Sequence, residues 1–215
     1  MQELVTVTGM VLQAVPFGEY DRRLILLTKE KGKITVFANG ARRQNSRFGA
    51  GSDMFAFGKF RLYETKTSYK LSDMEIQNFF EELRQDYEAA YYGMYFLEIA
   101  EYYGQENMEA VDLLKLLYLS LRALSKESLK NPLIRAIFEL RAVAINGELP
   151  ENPPEGVWQE STRYAYSYII QEPIEKLYTF TVSDSVLEEL KQIAEFCFNR
   201  YMDKKFKTLE ILNSF

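Results

Sequence analysis

Up to about residue 78 the apolar positions recur at every second residue. In LVTVTGMVL (4–12) Val5, Val7 and Gly9 alternate with Thr6 and Thr8, while RRLILLT (22–28) is a more continuous apolar run. KITVFA (33–38), MFAFGKFRLYE (54–64) and SYKLSDMEI (68–76) are again rich in β-branched and aromatic residues. Between them lie VPFGEYD, KEKGK, NGARRQNSRFGAGSD and ETKT, which carry turn residues. Five short strands so closely spaced predict a small closed barrel, and an open meander shares the pattern.

From about residue 79 the period becomes helical. FFEELRQDYEAAYYGMYFLEIAEYYG reads as one helix, and Val111, Leu114, Leu117, Leu121 and Leu124 form the stripe of a second. Asn131 and Pro132 read as the N-cap and first turn of a third, which stops at Gly147. Residues 148–182, with Pro150, Pro153, Pro154 and Pro173, read as irregular. A capped helix starts at Ser183 or Ser185, and KKFKTLEIL (204–212) follows it. The expected organisation is a barrel domain over 1–80 and a helical bundle over 81–215, an α+β chain with its elements segregated.

Charge sharpens this division. The whole chain carries −5, but residues 1–80 carry +4 and residues 81–215 carry −9. Within 22–70 the balance reaches +9, opposed only by Glu30, Asp53 and Glu64. Such asymmetry points to a polyanion-facing first part. Other chemistries fall away. The chain has no histidine, which removes the usual general base and the familiar triads. It has no GxxxxGK[ST] loop. Carboxylate pairs such as Glu81-Glu82 and Glu188-Glu189 sit at helix starts or faces, where solvation and the helix dipole account for them. The single Cys197 excludes an internal disulfide and fits a buried helical position. An enzyme is not expected. The densest apolar run, YYGMYFLEIA, is broken by Gly93 and Glu98, and Glu3 stands where a secretory signal needs positive charge, so a cytoplasmic protein is expected.

The basic segment carries the candidate chemistry. Lys29, Lys31 and Lys33 crowd one turn, and Arg42, Arg43 and Arg47 crowd the next. Arg61 and Lys70 follow on later strands, beside Phe48, Phe57, Phe60, Tyr63 and Tyr69. Alternation turns Lys59, Arg61 and Tyr63 to one face and Phe60 and Leu62 to the other. Cations interleaved with rings are what a groove for single-stranded nucleic acid needs. Gly40 and Gly49 allow close approach of a phosphate to the backbone. These residues leave a second reading open, an adaptor whose basic barrel meets an acidic protein partner.

The stretch GEYDRRLILLTKEKGKITVFANGARRQNSRFGA closely resembles the N-terminal domain of the RecO family of bacterial recombination mediators and DNA repair proteins. Gly18, Glu19, Asp21, Leu27, Thr28, Gly32, Gly40, Ala41, Arg42, Arg43, Ser46 and Arg47 stand at that family's positions. FELRAVAINGELP (138–150) and KKFKTLEIL resemble its later segments more loosely. The resemblance implies an OB-fold barrel followed by a helical domain. It also implies binding of single- and double-stranded DNA and annealing of complementary strands. Partners would be RecR and the acidic, apolar-ended tail of the single-stranded-DNA-binding protein, with RecA loaded onto single strands. Lys31, Lys33, Arg42, Arg43, Arg47, Arg61 and Lys70 are then the DNA-binding candidates. Arg135, Arg141, Lys204, Lys205 and Lys207 are the candidates for the partner's tail. Many relatives carry two C-x-x-C pairs that build a zinc module, whereas residues 148–182 hold no cysteine. A lost or degenerate module and no metal cofactor are expected, with Trp158, Tyr164, Tyr166 and Tyr168 as its replacement.

Overall fold

The computed structural model describes residues 3–213. Five strands, β1 (Leu4–Phe17), β2 (Asp21–Thr28), β3 (Gly32–Ala38), β4 (Phe57–Glu64) and β5 (Tyr69–Asn78), close into a barrel in the order β1-β2-β3-β5-β4. All neighbours are antiparallel except β3 and β5, which meet in parallel at Val36–Tyr69 and Phe37–Lys70. Closure rules out the open meander. β1 is long enough to pair with both β2 and β4 because a register shift between Val11 and Gln13 bends it around the barrel. At Gly9 the backbones come so close that a Cβ would stand 2.5 Å from the Leu27 carbonyl oxygen.

The alternating apolar positions form one core. Val7, Val11, Leu24, Leu26, Ile34, Val36, Phe60, Leu62 and Leu71 point inward, joined by Ala41 and Phe48 from the long loop after β3. Phe48 is therefore a plug and not a surface ring, and Phe60 and Tyr69 are buried with it. Tyr63 alone of the five rings noted above is exposed. The fourth strand begins at Phe57, three residues later than the pattern suggests. The preceding turn uses a short 3-10 segment (Ala50–Ser52) and a left-handed Phe55.

Seven α-helices follow among the described residues: α1 (Glu81–Gln85), α2 (Tyr87–Tyr103), α3 (Val111–Leu124), α4 (Asn131–Ile145), α5 (Glu160–Gln171), α6 (Asp184–Tyr201) and α7 (Lys207–Leu212). The single helix expected over 79–104 is two, because the Asp86 carboxylate accepts from the Ala89 N–H and starts a new helix there. α4 begins at Asn131 with no side-chain cap, so that residue lies inside the helix. α6 starts as read, its Ser183 hydroxyl accepting from the Val186 N–H.

The chain divides into two compact units, residues 1–81 with 100–114, and residues 82–99 with 115–215. The barrel unit takes in 100–114 because that segment bonds along the β2–β3 turn. Lys33 N–H donates to the Gln105 carbonyl, Asn107 N–H to Lys31 and Ala110 N–H to Lys29. Gly32, at φ +64°, fits this turn because a Cβ would meet the Gln105 oxygen at 2.0 Å. In the other unit α4 is buried on most of its surface, with Phe138 stacked on Phe96 at 4.2 Å between ring centroids.

Residues 160–171, read as irregular, are the helix α5. Its β-branched and aromatic residues have modest helix propensity, and burial of Thr162, Ala165, Tyr166 and Ile169 at helical spacing decides the outcome. The preceding segment is tied down by two of the four expected residues. The Trp158 indole donates to the Pro154 carbonyl at 2.8 Å and the Tyr166 hydroxyl to the Pro150 carbonyl at 2.8 Å. Tyr164 and Tyr168 do other work. The residues do not fit a zinc site: the chain has one cysteine and no histidine, and no metal-holding group of three or more His, Cys, Asp or Glu occurs among the described residues.

Candidate nucleic-acid interface

The motif residues of the basic segment act first as architecture. The Asp21 carboxylate accepts from the Gly40 N–H at 2.6 Å, and the Thr28 hydroxyl donates to the Gly32 carbonyl at 2.9 Å. Gly40 takes φ +69°, a conformation that suits glycine. Arg22 pins the far side of the loop through Asp53 at 2.6 Å, the Ser52 hydroxyl and the Gly49 carbonyl. With Ala41 and Phe48 inserted in the core, the loop is held at several points and Arg42 and Arg43 are left exposed.

Strand register then defines what lies beside them. Across the barrel's outer surface, Val15 pairs with Arg23, Arg23 with Phe37, Phe37 with Lys70 and Lys70 with Tyr63. Cross-strand partners share a face, so cations and rings alternate along this row. Phe17, 51% exposed, packs its ring on Phe37 at 4.9 Å. Phe17 leads into the β1–β2 turn, where Tyr20 carries the Arg43 guanidinium over its ring at 5.2 Å. The Arg42 N–H donates to the Tyr20 carbonyl at 2.8 Å and its guanidinium to the Glu19 carbonyl at 3.3 Å. Arg47 lies over Phe48 at 4.6 Å and donates to the Ser72 carbonyl at 2.7 Å. Arg23, Arg42, Arg43 and Lys70 are exposed, and no ion pair among the described residues involves them.

The remaining barrel candidates stand elsewhere. Lys31 lies in the β2–β3 turn, and Lys33 lies on β3, on the same outer face as Phe37 and roughly 13 Å from it along the strand. Lys33 donates to the Glu101 carbonyl at 2.8 Å, and half-buried Lys31 lies 3.8 Å from Glu64 and over the Tyr69 ring. Arg61 does face outward with Lys59 and Tyr63, as alternation requires, but register sets it against Asp73 at 3.6 Å and Lys59 against Glu75. That stretch of β4 and β5 is thus close to neutral. The sequence reading did not single out Arg23, Phe37, Phe17 and Tyr20, which the register and ring contacts set beside Lys70 and Arg43. The available signal was the Arg22-Arg23 pair opening a strand, one side chain turned in to the loop and the other out.

In the helical unit Arg135 and Arg141 separate. Arg141 donates to the Ile169 and Ile170 carbonyls and so caps the end of α5. Arg135 lines a pocket of about 400 Å³ with Tyr92, Lys191, Phe198, Leu209 and Leu212. It bonds the buried Glu139 at 2.8 Å, and Glu139 also accepts from the Tyr95 hydroxyl at 2.7 Å. Burial opposes the Arg135 charge, but Glu139 outweighs it and the guanidinium pKa rises. Burial and the Glu139 charge likewise hold the Tyr95 phenol well above the usual tyrosine range, so it stays protonated and donating. Lys204, Lys205 and Lys207 are exposed and outside this pocket's lining, Lys204 lying over the Phe206 ring. Lys191, not singled out from the sequence, is the pocket's second cation.

Comparison with known proteins matches both parts of the chain. The family model Recombination protein O N terminal matches residues 1–80, and Recombination protein O C terminal matches residues 84–153. The chain is similar to the DNA repair protein RecO of Acetivibrio thermocellus, with 28% identity over 240 positions covering 96% of this chain and 95% of the relative. The RecO protein of Alkaliphilus metalliredigens is 33% identical over 147 positions, 68% of this chain and 60% of the relative. That of Clostridium novyi is 23% identical over 235 positions, 95% and 92% of the two chains.

Proposed function

From the premise that this chain belongs to the RecO family of DNA repair proteins, we propose that it is a non-enzymatic mediator that binds single- and double-stranded DNA and anneals complementary strands. The observation that carries the reading is a row of cations outside any ion pair among the described residues, interleaved with the exposed rings of Phe17, Tyr20 and Tyr63 and the half-buried ring of Phe37, at one end of the barrel. Arg23, Arg42, Arg43 and Lys70 offer charge for phosphates, Arg with a planar two-bond fork. Phe17, Tyr20, Phe37 and Tyr63 offer faces for bases, whose stacking contributes about 1–3 kcal/mol per base. Arg47 borders them.

Annealing follows from the same arrangement. Two strands repel through their phosphates, and a surface that neutralises part of that charge lowers the work of bringing them together. No bond is made or broken, so no general base is needed. In the cell this mediator works with RecR and with the single-stranded-DNA-binding protein to load RecA in the cytoplasm. The pocket at Arg135, lined by Lys191, Phe198, Leu209 and Leu212 and also by Glu139 and Glu195, would take a tail ending in carboxylates and an apolar side chain only by exchanging the Arg135–Glu139 and Lys191–Glu188 pairs for its own carboxylates. No described helix is long and apolar enough to cross a membrane.

A strand-annealing assay with complementary labelled oligonucleotides tests the proposal. The chain accelerates annealing, and Arg42→Ala with Arg43→Ala slows it at least tenfold at equal protein concentration. An adaptor that meets only acidic proteins would leave the annealing rate at its spontaneous value.

A further inference from the structure

Beyond residue 153, where the C-terminal family model ends, the helical unit opens a second cleft of about 810 Å³. One wall is α5 and the other is the extended segment 179–183 that leads into α6. Ala165 and Val186 form its buried floor. Three rings stand along it: Tyr164 and Tyr168 with centroids 6.3 Å apart, and Phe180 meeting Tyr168 edge-on at 5.1 Å. Tyr164 is 71% exposed.

The surroundings are anionic. Residues 148–189 hold nine acids against Arg163 and Lys176. Most of the acids nearby are engaged, Glu175 with Lys115, Asp184 with Lys130, Glu172 with Lys176, and Glu189 with Thr162 and Gln159. Glu160 lines the cleft and belongs to no ion pair among the described residues. Aromatic rings lining a cleft with a carboxylate outside any ion pair offer a cation site, strongest for a guanidinium that can also stack. The extended wall, Thr179-Phe180-Thr181-Val182, supplies backbone groups along which another extended chain can lie.

We propose that this cleft docks an extended cationic segment of a protein partner, one Arg or Lys side chain lying among Tyr164, Tyr168 and Phe180 with its charge toward Glu160. Among the described residues no cation lines the cleft to meet a phosphate, so DNA is not the occupant. This surface is independent of the barrel's cations and survives if the DNA reading fails.

The test is fluorescence anisotropy of the full chain with a short labelled peptide alternating Arg and Ser, against a Glu-and-Ser control. The Arg peptide binds saturably and the Glu peptide does not. Tyr164→Ala weakens binding about fivefold and Glu160→Gln about threefold, whereas Tyr164→Phe stays within about twofold because the ring is retained. Both side chains are exposed, so thermal melting and oligonucleotide binding stay unchanged. Four results would each overturn the proposal: no binding of the Arg peptide, binding indifferent to all three variants, displacement of the peptide by single-stranded oligonucleotide, or a self-associating chain whose assembly Tyr164→Ala abolishes.

Discussion

Asp21 separates positioning from net charge. Its carboxylate accepts from the Gly40 N–H at 2.6 Å and fixes the root of the loop that carries Arg42 and Arg43. A hydrogen bond to a charged group contributes about 1.5–3 kcal/mol, so Asp21→Ala should destabilise the barrel by about 2 kcal/mol. For a chain of this size that lowers the melting temperature by about 4–8 °C. The effect on DNA has two opposing parts. Removing a negative charge beside the cations should tighten binding if net charge alone mattered. Releasing the loop should weaken it, because each phosphate contact from a held arginine is worth about fivefold at 0.1 M salt, from a single-strand slope of roughly 0.7 per contact. Two such contacts give about 25-fold, and partial disordering puts the loss between about 5- and 25-fold. Asp21→Asn, which keeps an acceptor oxygen, should fall between wild type and Asp21→Ala. The assay is an equilibrium titration of a labelled oligonucleotide at fixed salt, below the melting transition. Tighter binding by Asp21→Ala would refute the claim that this carboxylate positions the arginines.

Further outcomes follow from the same geometry. Phe48→Ala removes the loop's plug from the barrel core and should cost about 3–5 kcal/mol, read by denaturant unfolding. Arg61→Ala should change oligonucleotide affinity by less than about twofold, because Asp73 already offsets that charge in an exposed pair. Arg135→Met leaves the Glu139 carboxylate buried without its cation and should destabilise the helical unit by about 3–5 kcal/mol. Burial pushes the Cys197 thiol up to about 11 from an ordinary value of 9, with Arg200 pulling it partly back. The folded state therefore holds this proton more tightly than the unfolded chain. That contribution is complete below pH 9 and is lost as pH rises through 11. Stability should fall by about 1 kcal/mol between pH 8 and 10 and fall less in Cys197→Val, measured by urea midpoints.

The barrel was legible because both its faces obey the two-residue period and its turns use distinctive chemistry. Asp21, Thr28, Gly32 and Gly40 could be picked out by pattern, although their roles as turn locks emerge only with the bonds they make. The proposed interface was legible in part. Arg42 and Arg43 stood out as a cluster, yet Arg23 and Phe37 did not. Their adjacency to Lys70 depends on the parallel β3–β5 closure, a long-range pairing no local pattern encodes. Lys33 and Arg141 read as free cations in the sequence for a related reason. A cation's free ends are spoken for by carbonyls far along the chain, Glu101 for one and Ile169 with Ile170 for the other. The helix α5 hid behind prolines and a Tyr-rich composition, so the cap that Arg141 provides had no visible target.

The salt dependence of single-stranded oligonucleotide binding tests the interface most directly. With Arg23, Arg42, Arg43 and Lys70 on phosphates, log K against log salt should slope near −3, and replacing all four by Ala should bring it close to zero in a chain that still melts cooperatively. A slope that survives the four replacements, or an intact chain that binds no oligonucleotide at low salt, would contradict the account.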